Sequence, residues 1–185
     1  MIKTSSLIDF ENALKLLDEK LGLANKKIEI KAIGGFVMMY YGLRDNGYTI
    51  DIDSLTVKYD HSIESIIKEV GNELGIDEDW LNTDCAELDG FLNILSEQIN
   101  WIPTKYSFKN IDLKIADIIG IVRSKAKAIN DGGIVPRSTD KKDLLSSLRY
   151  LGIYCIDDIE SNKELDFIYT DYKMCFKFLN DIKKW

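Results

Sequence analysis

Residues 33–55 carry the sequence IGGFVMMYYGLRDNGYTIDIDSL, and this stretch decides the fold. The alternating segment that leads into it, residues 27–33, predicts a β-strand. Two glycines, Gly34 and Gly35, end that strand, and the apolar run after them predicts a short helix. Residues 49–59 are rich in β-branched side chains and predict a second strand, so the stretch encodes a strand–helix–strand unit.

The elements around this unit predict a small mixed β-sheet flanked by helices, an α/β fold in the broad sense that includes α+β proteins. Ser6 is placed to cap a helix before the unit, and Asp117 and Thr139 are placed to cap helices after it. We therefore expect an α/β core over residues 1–116 and a helical C-terminal part over residues 117–185, packed on that core.

The sequence predicts two further features outside this unit, a hairpin and C-terminal helices. Residues 101–108 and 111–116 are extended stretches on either side of Lys109-Asn110, and they predict a hairpin. The chain from about Ile156 to its end predicts one or two amphipathic helices.

Composition limits the class of protein and the kinds of chemistry. The 185 residues carry a net charge of −7, one histidine and three scattered cysteines. The acidic balance argues against general DNA binding, and the absence of a Cys-x-x-Cys pair argues against a zinc ribbon. With a single histidine, an enzyme must use carboxylates, lysines, hydroxyls or a bound metal. No apolar run approaches the ~20 residues that span a bilayer, so we expect a cytoplasmic protein with no membrane partner.

Two features of the deciding stretch point to chemistry. Glycines at a strand-to-helix junction let a phosphate group approach the backbone closely. Asp51 and Asp53 alternate along the predicted second strand, so their carboxylates point the same way from Cα atoms roughly 7 Å apart. Magnesium binds a few carboxylates together with substrate phosphates. The pattern therefore indicates metal-assisted phosphoryl or nucleotidyl transfer.

Both features also have structural interpretations. A Gly-Gly pair is a turn in most proteins, and two aspartates on an edge strand can form a solvated face. Aspartate is nevertheless depleted in strands, and two like charges on a well-packed strand cost stability unless something neutralises them. The pattern alone leaves the metal site and the solvated face open.

The stretch resembles the signature of the nucleotidyltransferase superfamily, in which an apolar residue and two glycines precede a short helix and an Arg…Thr-x-Asp-x-Asp strand. Within that superfamily it is most similar to prokaryotic AbiEii-type nucleotidyltransferase-like proteins, which are related to toxin–antitoxin and abortive-infection systems. The resemblance covers residues 27 to 156. Three later pieces of the chain agree with it: Asp79-Trp80-Leu81-Asn82, Lys125-Ala126, and Arg137 followed by Lys142-Asp143-Leu144.

This resemblance implies a minimal nucleotidyltransferase fold, with a mixed sheet of at most five strands and the active site at its open end. It implies that Gly34 and Gly35 bind the nucleotide phosphates, and that Asp51 and Asp53 are catalytic residues that hold one or two magnesium ions. The positions that match the Arg…Thr part of the motif, and that border the phosphates, are Arg44 and Thr49.

The superfamily also uses a third carboxylate within an apolar–acid–apolar triplet on a later strand, where it acts on the attacking hydroxyl as a base or as a further metal ligand. Asp112 in Ile111-Asp112-Leu113 has that form and is the candidate for the third catalytic residue. Asp84 is the rival, and a solvent-facing Asp112 is the structural alternative. A chain without a third acid near the pair is expected to bind nucleotide without efficient catalysis.

Lys125 interrupts the apolar stripe of the helix that follows Asp117. One interpretation is a lysine that extends its ammonium group from the core to solvent. The other is that this group meets a nucleotide phosphate. The segment from Arg123 to Arg149 holds seven bases and three acids, and a local positive face suits a triphosphate or an RNA end.

These observations predict a magnesium-dependent nucleotidyltransferase-like protein. It would transfer a nucleoside monophosphate from a nucleoside triphosphate to a hydroxyl on an RNA end, a protein or a small molecule. The resemblance adds a role in toxin–antitoxin or phage-defence systems. The alternative is a catalytically inactive, nucleotide-binding or antitoxin-like regulator that acts through a protein partner.

Overall fold

The computed structural model describes residues 3–44, 47–88, 95–131 and 138–182. The chain divides into two units, Met1–Ala116 and Asp117–Trp185. The described part of the first unit holds a five-stranded mixed sheet and a two-stranded sheet together with helices, whereas the described part of the second is helical. The predicted mixed α/β class is confirmed.

The first unit begins with a short strand and a long helix before the deciding stretch. Its elements are β1 (Ser5–Ser6), α1 (Leu7–Leu23), β2 (Ile28–Ile33), α2 (Gly34–Tyr40), β3 (Tyr48–Thr49), β4 (Ile52–Ser54), α3 (His61–Leu74), β5 (Leu81–Asn82), a 3-10 helix (Asp84–Glu87), α4 (Ser96–Gln98), β6 (Trp101–Pro103) and β7 (Ile111–Ala116). The strand before the glycine pair forms where the sequence predicts it, whereas the short helix begins at Gly34 and so includes both glycines in its first turn.

The five-stranded sheet has the strand order β5–β4–β2–β7–β6. Strand β2 lies at its centre, parallel to β7 and antiparallel to β4. The alternate apolar residues of β2 and β7 are buried on one face, while Glu29, Lys31, Asp112 and Lys114 lie on the other. The sheet thus has an apolar face within the core and a face with charged side chains.

Helix α1 begins at the predicted cap. The Ser6 hydroxyl accepts a hydrogen bond from the Asp9 backbone N–H, and the Asp9 carboxylate accepts one from the Ser6 N–H at 2.8 Å. This reciprocal pair satisfies two of the backbone donors that a helix leaves open at its start. The apolar side chains at helical spacing along α1 are all fully buried: Phe10, Ala13, Leu14, Leu17 and Leu21.

The prediction of one strand over residues 49–59 is wrong in its extent. Strand β3 pairs with β1 in the two-stranded sheet, whereas β4 pairs with β2 and β5 in the larger sheet. The chain changes partners between Thr49 and Ile52, and Ile50 in that gap is 41% exposed. Beyond Leu55 the chain leaves the sheet. A run of β-branched residues indicates extended backbone, but it does not indicate where a strand exchanges one partner for another.

The predicted hairpin is present in a shorter form. Strands β6 and β7 pair antiparallel with Trp101 opposite Ala116, and β6 ends at Pro103 instead of continuing to residue 108. A proline without an N–H group favours the end of a strand ladder, which explains the earlier end.

The second unit contains α5 (Ile118–Asp131), α6 (Ser138–Tyr150), α7 (Ile156–Ser161), a 3-10 helix (Lys163–Leu165), α8 (Phe167–Thr170) and α9 (Lys173–Asp181). Asp117 caps α5 as predicted, because its Oδ1 accepts a hydrogen bond from the Gly120 N–H at 2.7 Å. Thr139 lies inside α6 and is not its cap. The one or two C-terminal helices predicted from Ile156 are divided into shorter segments.

The second unit has its own apolar core. It is built mainly from α5 and α6 and closed by the shorter helices, and its largest buried side chains include Phe167, Leu144, Leu148 and Leu179. Within the described ranges, no helix combines the length and apolar content needed to cross a membrane.

Candidate functional site

The candidate site lies where β2 ends and the glycine pair begins. Ile33, the last residue of β2, is the cross-strand partner of Asp53 on β4. Gly34 follows at once with φ of +71°, a left-handed conformation that glycine adopts at little cost. This conformation brings the backbone of Gly34 against β4, the strand that carries Asp53.

Close contacts require glycine at both positions, and the left-handed backbone adds a second requirement at Gly34. A Cβ atom at Gly34 would lie 2.6 Å from Oδ2 of Asp53. A Cβ atom at Gly35 would overlap the Thr49 hydroxyl oxygen and Nη1 of Arg44. Asp53, Thr49 and Arg44 thus pack directly on the glycine backbone, and only hydrogen atoms fit between them.

Arg44 and Thr49 are held by the short β3 segment. Nη1 of Arg44 donates a hydrogen bond to the Tyr48 carbonyl oxygen at 3.2 Å, which lays the guanidinium group across Gly35. Thr49 is 9% exposed. A cation and a hydroxyl beside a glycine backbone are groups that hydrogen-bond phosphate oxygens.

Asp51 lies just before β4 and is half-buried. Its Oδ2 accepts a hydrogen bond from the side-chain amide of Asn82 on β5 at 3.1 Å. Burial raises the pKa of Asp51 above its usual value, and the nearby carboxylates of Asp84 and Asp77 raise it further, while Asn82 and Arg44 lower it. Negative charge is therefore concentrated at this point, and a cation bound here would relieve it.

The structure brings six of the predicted site residues together: Gly34, Gly35, Arg44, Thr49, Asp51 and Asp53. Among the described residues, no group of three or more His, Cys, Asp or Glu side chains is arranged to hold a metal ion. Asp51 and Asp53 supply two carboxylates from positions two residues apart in the chain. A pair of carboxylates fits magnesium only where substrate phosphates complete the coordination.

Asp112 lies away from this cluster, contrary to the prediction. It pairs with Glu29 on β2, whereas Asp53 pairs with Ile33, and these two β2 residues are four positions or about 13 Å apart. The Asp112 carboxylate is 62% exposed and forms an ion pair with Lys114 at 2.9 Å. The apolar–acid–apolar pattern placed Asp112 correctly on a strand, but the parallel register puts it at the other end of that strand.

Asp84, the rival candidate for the third acid, is nearer to the pair. It starts the 3-10 helix after β5, and its backbone N–H donates a hydrogen bond to Oδ1 of Asn82 at 3.1 Å. Its charge acts on the pKa of Asp51, yet its carboxylate is exposed and completes no three-acid cluster among the described residues. It contributes to the negative potential of the site.

Lys125 is held within the second unit instead of presenting its ammonium group to a ligand. It is 7% exposed, and its Nζ lies 2.8 Å from Oδ1 of Asp140 and 2.9 Å from Oδ2 of Asp143. The predicted phosphate contact is thus replaced by two carboxylate contacts. Helical spacing correctly indicated a core-facing lysine, but it contained no information on which partners neutralise the charge.

Several residues near the site were not assigned to it from the sequence. Asn82 positions the Asp51 carboxylate, and the only signal for it was its place in the Asp-Trp-Leu-Asn motif. The Cys85 thiol donates a weak hydrogen bond to the Ser54 carbonyl, and its pKa is raised by burial and by the neighbouring Asp53. No sequence pattern marks Cys85, because its position depends on the pairing of β4 with β5.

A groove of about 510 Å³ lies elsewhere in the first unit, and none of the six clustered residues lines it. Its charged lining consists of Lys27, Lys31 and Lys58 together with Glu29 and Asp60. These charges nearly balance, so the groove has a size suited to a small ligand but no clear preference for one charge. The chemistry converges at the glycine pair and the aspartates instead.

Comparison of the chain with family models, curated proteins and solved structures finds no match. The function is therefore inferred from the geometry of the site and from the sequence motif.

Proposed function

We propose that the cluster at Gly34 and Gly35 binds a magnesium–nucleoside triphosphate, and that the chain is a nucleotidyltransferase-like protein with the minimal fold of that superfamily. One observation carries the proposal: Asp53, Thr49 and Arg44 all pack directly on the backbone of the glycine pair. This arrangement combines, in one place, acidic oxygen ligands for a hard cation with a cation and a hydroxyl for phosphate oxygens.

In this proposal Asp51 and Asp53 hold the metal. Magnesium supplies Lewis-acid stabilisation of the negative charge on the transferring phosphate. Asn82 fixes the orientation of the Asp51 carboxylate through its amide, and Asp84 adds to the negative potential that attracts the cation. Because burial and like charges raise the pKa of Asp51, binding of a cation lowers it again and favours the ionised form.

Arg44 and Thr49 bind the phosphates. Nη1 of Arg44 donates a hydrogen bond to the neutral Tyr48 carbonyl, and a phosphate oxygen offers the guanidinium group a stronger, charge-assisted hydrogen bond. The Thr49 hydroxyl lies beside the same glycine and donates to the same group. Glycine at both positions lets Asp53, Thr49 and Arg44 approach the backbone closely, which brings these groups together to meet one bound triphosphate.

The proposed reaction moves a nucleoside monophosphate to an acceptor hydroxyl. The acceptor oxygen forms a bond to the α-phosphorus, the bond from that phosphorus to the bridging oxygen breaks, and pyrophosphate leaves with the bonding electron pair. The hydroxyl proton passes to a base or to water. The acceptor can be an RNA end, a protein side chain or a small molecule, and the first of these fits the local basic composition of residues 123–149.

A second candidate function is nucleotide binding without transfer, in a regulatory or antitoxin-like protein that acts through a protein partner. The position of Asp112 favours this candidate. Asp112, the predicted third carboxylate, pairs with Glu29, and Glu29 lies about 13 Å along β2 from Ile33, the partner of Asp53. A site without this carboxylate would take the proton from the acceptor hydroxyl slowly, while its proposed metal and phosphate contacts would remain.

Incubation of the purified protein with each labelled nucleoside triphosphate and magnesium separates the two candidates. The acceptors offered are the protein itself, total RNA and a cell lysate, and Asp51→Ala and Asp53→Ala are the comparison variants. Label transfer by the wild type that both variants lose supports the transferase. Nucleotide binding without transfer to any acceptor supports the regulatory candidate, and the absence of binding to every nucleotide contradicts both.

A further inference from the structure

Ser5 carries a buried hydroxyl group that the folded chain leaves without a partner. The residue is 1% exposed, and its Oγ has no hydrogen-bond partner among the residues that the structure describes. An alanine would fill the same position without the cost of removing a hydroxyl from water. Buried polar groups are normally paired, so this exception requires an explanation.

The position of Ser5 connects it to the candidate site. Strand β1 pairs antiparallel with β3, and Ser5 is directly opposite Thr49. Side chains of directly opposed residues project to the same side of a two-stranded sheet, with Cβ atoms about 5 Å apart. Because the Thr49 hydroxyl packs on Gly35, the Ser5 hydroxyl lies on the side of the sheet that faces the glycine pair.

Arg44 lies beside Thr49 on the same glycine. Its Nη1 packs on Gly35 beside the Thr49 hydroxyl and donates to the Tyr48 carbonyl. A phosphate draws the guanidinium group toward itself because the charge-assisted bond is stronger than the bond to a neutral carbonyl. A phosphate oxygen bound by Arg44 therefore lies next to Thr49, whose cross-strand partner is Ser5.

We propose that Ser5 is a phosphate-binding residue of this site, whose hydroxyl donates a hydrogen bond to the bound nucleoside triphosphate beside Thr49. The inference rests on the proposed function and extends it, because it assigns a residue outside the Gly-Gly and Asp-x-Asp motif. It also gives the two-stranded sheet a role: pairing of β1 with β3 brings the N-terminal segment to the phosphates.

The test compares Ser5→Ala with Ser6→Ala, the same substitution at the next residue. Magnesium complexes of ATP, GTP, CTP and UTP are titrated into the wild type by calorimetry, and the nucleotide that binds most tightly is then titrated into both variants. Melting temperatures are measured without nucleotide. We expect Ser5→Ala to weaken binding about tenfold while its melting temperature is unchanged or higher. Ser6→Ala removes the cap of α1, so it should lower the melting temperature and leave the affinity unchanged.

Two results overturn the inference. Wild-type affinity in Ser5→Ala shows that the hydroxyl does not contact the nucleotide. A lower melting temperature in Ser5→Ala, matching that of Ser6→Ala, shows that its role is structural. In both cases the wild type still binds nucleotide, so the proposed function stands. If the wild type binds none of the four nucleotides, the proposed function fails and the inference fails with it.

Discussion

At the scale of single residues, the ionised carboxylate of Asp51 carries an electrostatic cost in the folded protein. Burial and the charges of Asp84 and Asp77 raise its pKa in the folded state, whereas an unfolded aspartate titrates near pH ~3.9. Because the folded pKa is the higher one, the folded state holds the proton to higher pH. The ionised form therefore destabilises the fold above the folded pKa, and this cost vanishes once the pH falls below the unfolded pKa.

Asp51→Asn should consequently raise the melting temperature at pH 7 and give no gain below pH ~3. The new amide oxygen still accepts the hydrogen bond from Asn82, so the substitution removes charge and keeps the local contact. Thermal unfolding of both proteins across this pH range checks the prediction. Asp112→Asn is the matched control, because its exposed carboxylate is ion-paired with Lys114 and should show no such gain. A lower melting temperature for Asp51→Asn at pH 7 would contradict the prediction.

Alanine substitutions at Gly34 and Gly42 distinguish the effect of backbone strain from the effect of a contact with the site. Both have φ near +70°, but a Cβ atom at Gly42 meets nothing within 4 Å, whereas one at Gly34 meets the Asp53 carboxylate. Alanine at either position should cost roughly 1–2 kcal/mol of unfolding free energy, since both place an L-residue in the left-handed region. Only Gly34→Ala should also displace Asp53 and weaken nucleotide binding.

Denaturant unfolding and a nucleotide titration measure the two effects separately. Equal loss of affinity in Gly34→Ala and Gly42→Ala would show that the contact with Asp53 has no special role.

Part of the site was predictable because its residues lie close together in the sequence. Gly34, Gly35, Asp51 and Asp53 lie within twenty residues of one another, with the rest of α2 and the short strand β3 between them. The position of Asp112 was not predictable, because it depends on the parallel register of β2 with β7, which joins distant parts of the chain. Ser5 was missed for the same reason, since its relation to Thr49 exists only through the pairing of β1 with β3.

At the scale of elements, α5 and α6 are joined by a buried cluster of one lysine and two aspartates. The side chains of Lys125, Asp140 and Asp143 are each less than one-tenth exposed. Removal of the cation leaves two carboxylates in a region of low polarity. Lys125→Met should therefore lower the unfolding free energy by about 3–5 kcal/mol.

Lys127→Met on the same helix is the matched control. Lys127 pairs with Asp131, whose side chain is 48% exposed, so its loss should cost less than about 1 kcal/mol. Urea unfolding of the two variants gives the comparison. Adding Asp140→Asn and Asp143→Asn to Lys125→Met should recover part of the stability, because no buried charge then remains. Equal losses in the two single variants would contradict the buried-cluster interpretation.

Helices and strands were predicted where their signals are local. The cap at Ser6 with Asp9, and the cap at Asp117, are set by residues within one turn of the helix start. The extent of the second strand was not predictable, because β3 and β4 lie close together in one extended stretch of sequence but belong to different sheets. The C-terminal helices were predicted too long, because amphipathic spacing continues across the breaks near Asn162 and Asp171.

At the scale of the whole molecule, charge is unevenly distributed along the chain. The chain has a net charge of −7, yet residues 123–149 hold seven bases and three acids. All three of those acids are paired with lysines of α5 in the structure, and Lys141 packs its ammonium group 5.0 Å from the ring centroid of Phe178. Arg137 lies outside the described residues. Of the six described bases in this segment, only Lys142 and Arg149 are exposed, so fewer of these six cations are available to an RNA acceptor than composition indicates.

Magnesium-dependent nucleotide affinity measured by titration calorimetry tests the proposed site most directly. The wild type, Asp53→Asn and Asp112→Asn are each titrated with the four nucleoside triphosphates, with magnesium and with excess chelator. We predict saturable binding at one site that requires magnesium, a loss of at least about tenfold in Asp53→Asn, and wild-type affinity in Asp112→Asn. Equal affinity in all three proteins, or affinity that is the same with and without magnesium, would contradict a nucleotide site formed by the glycine pair, Asp51 and Asp53.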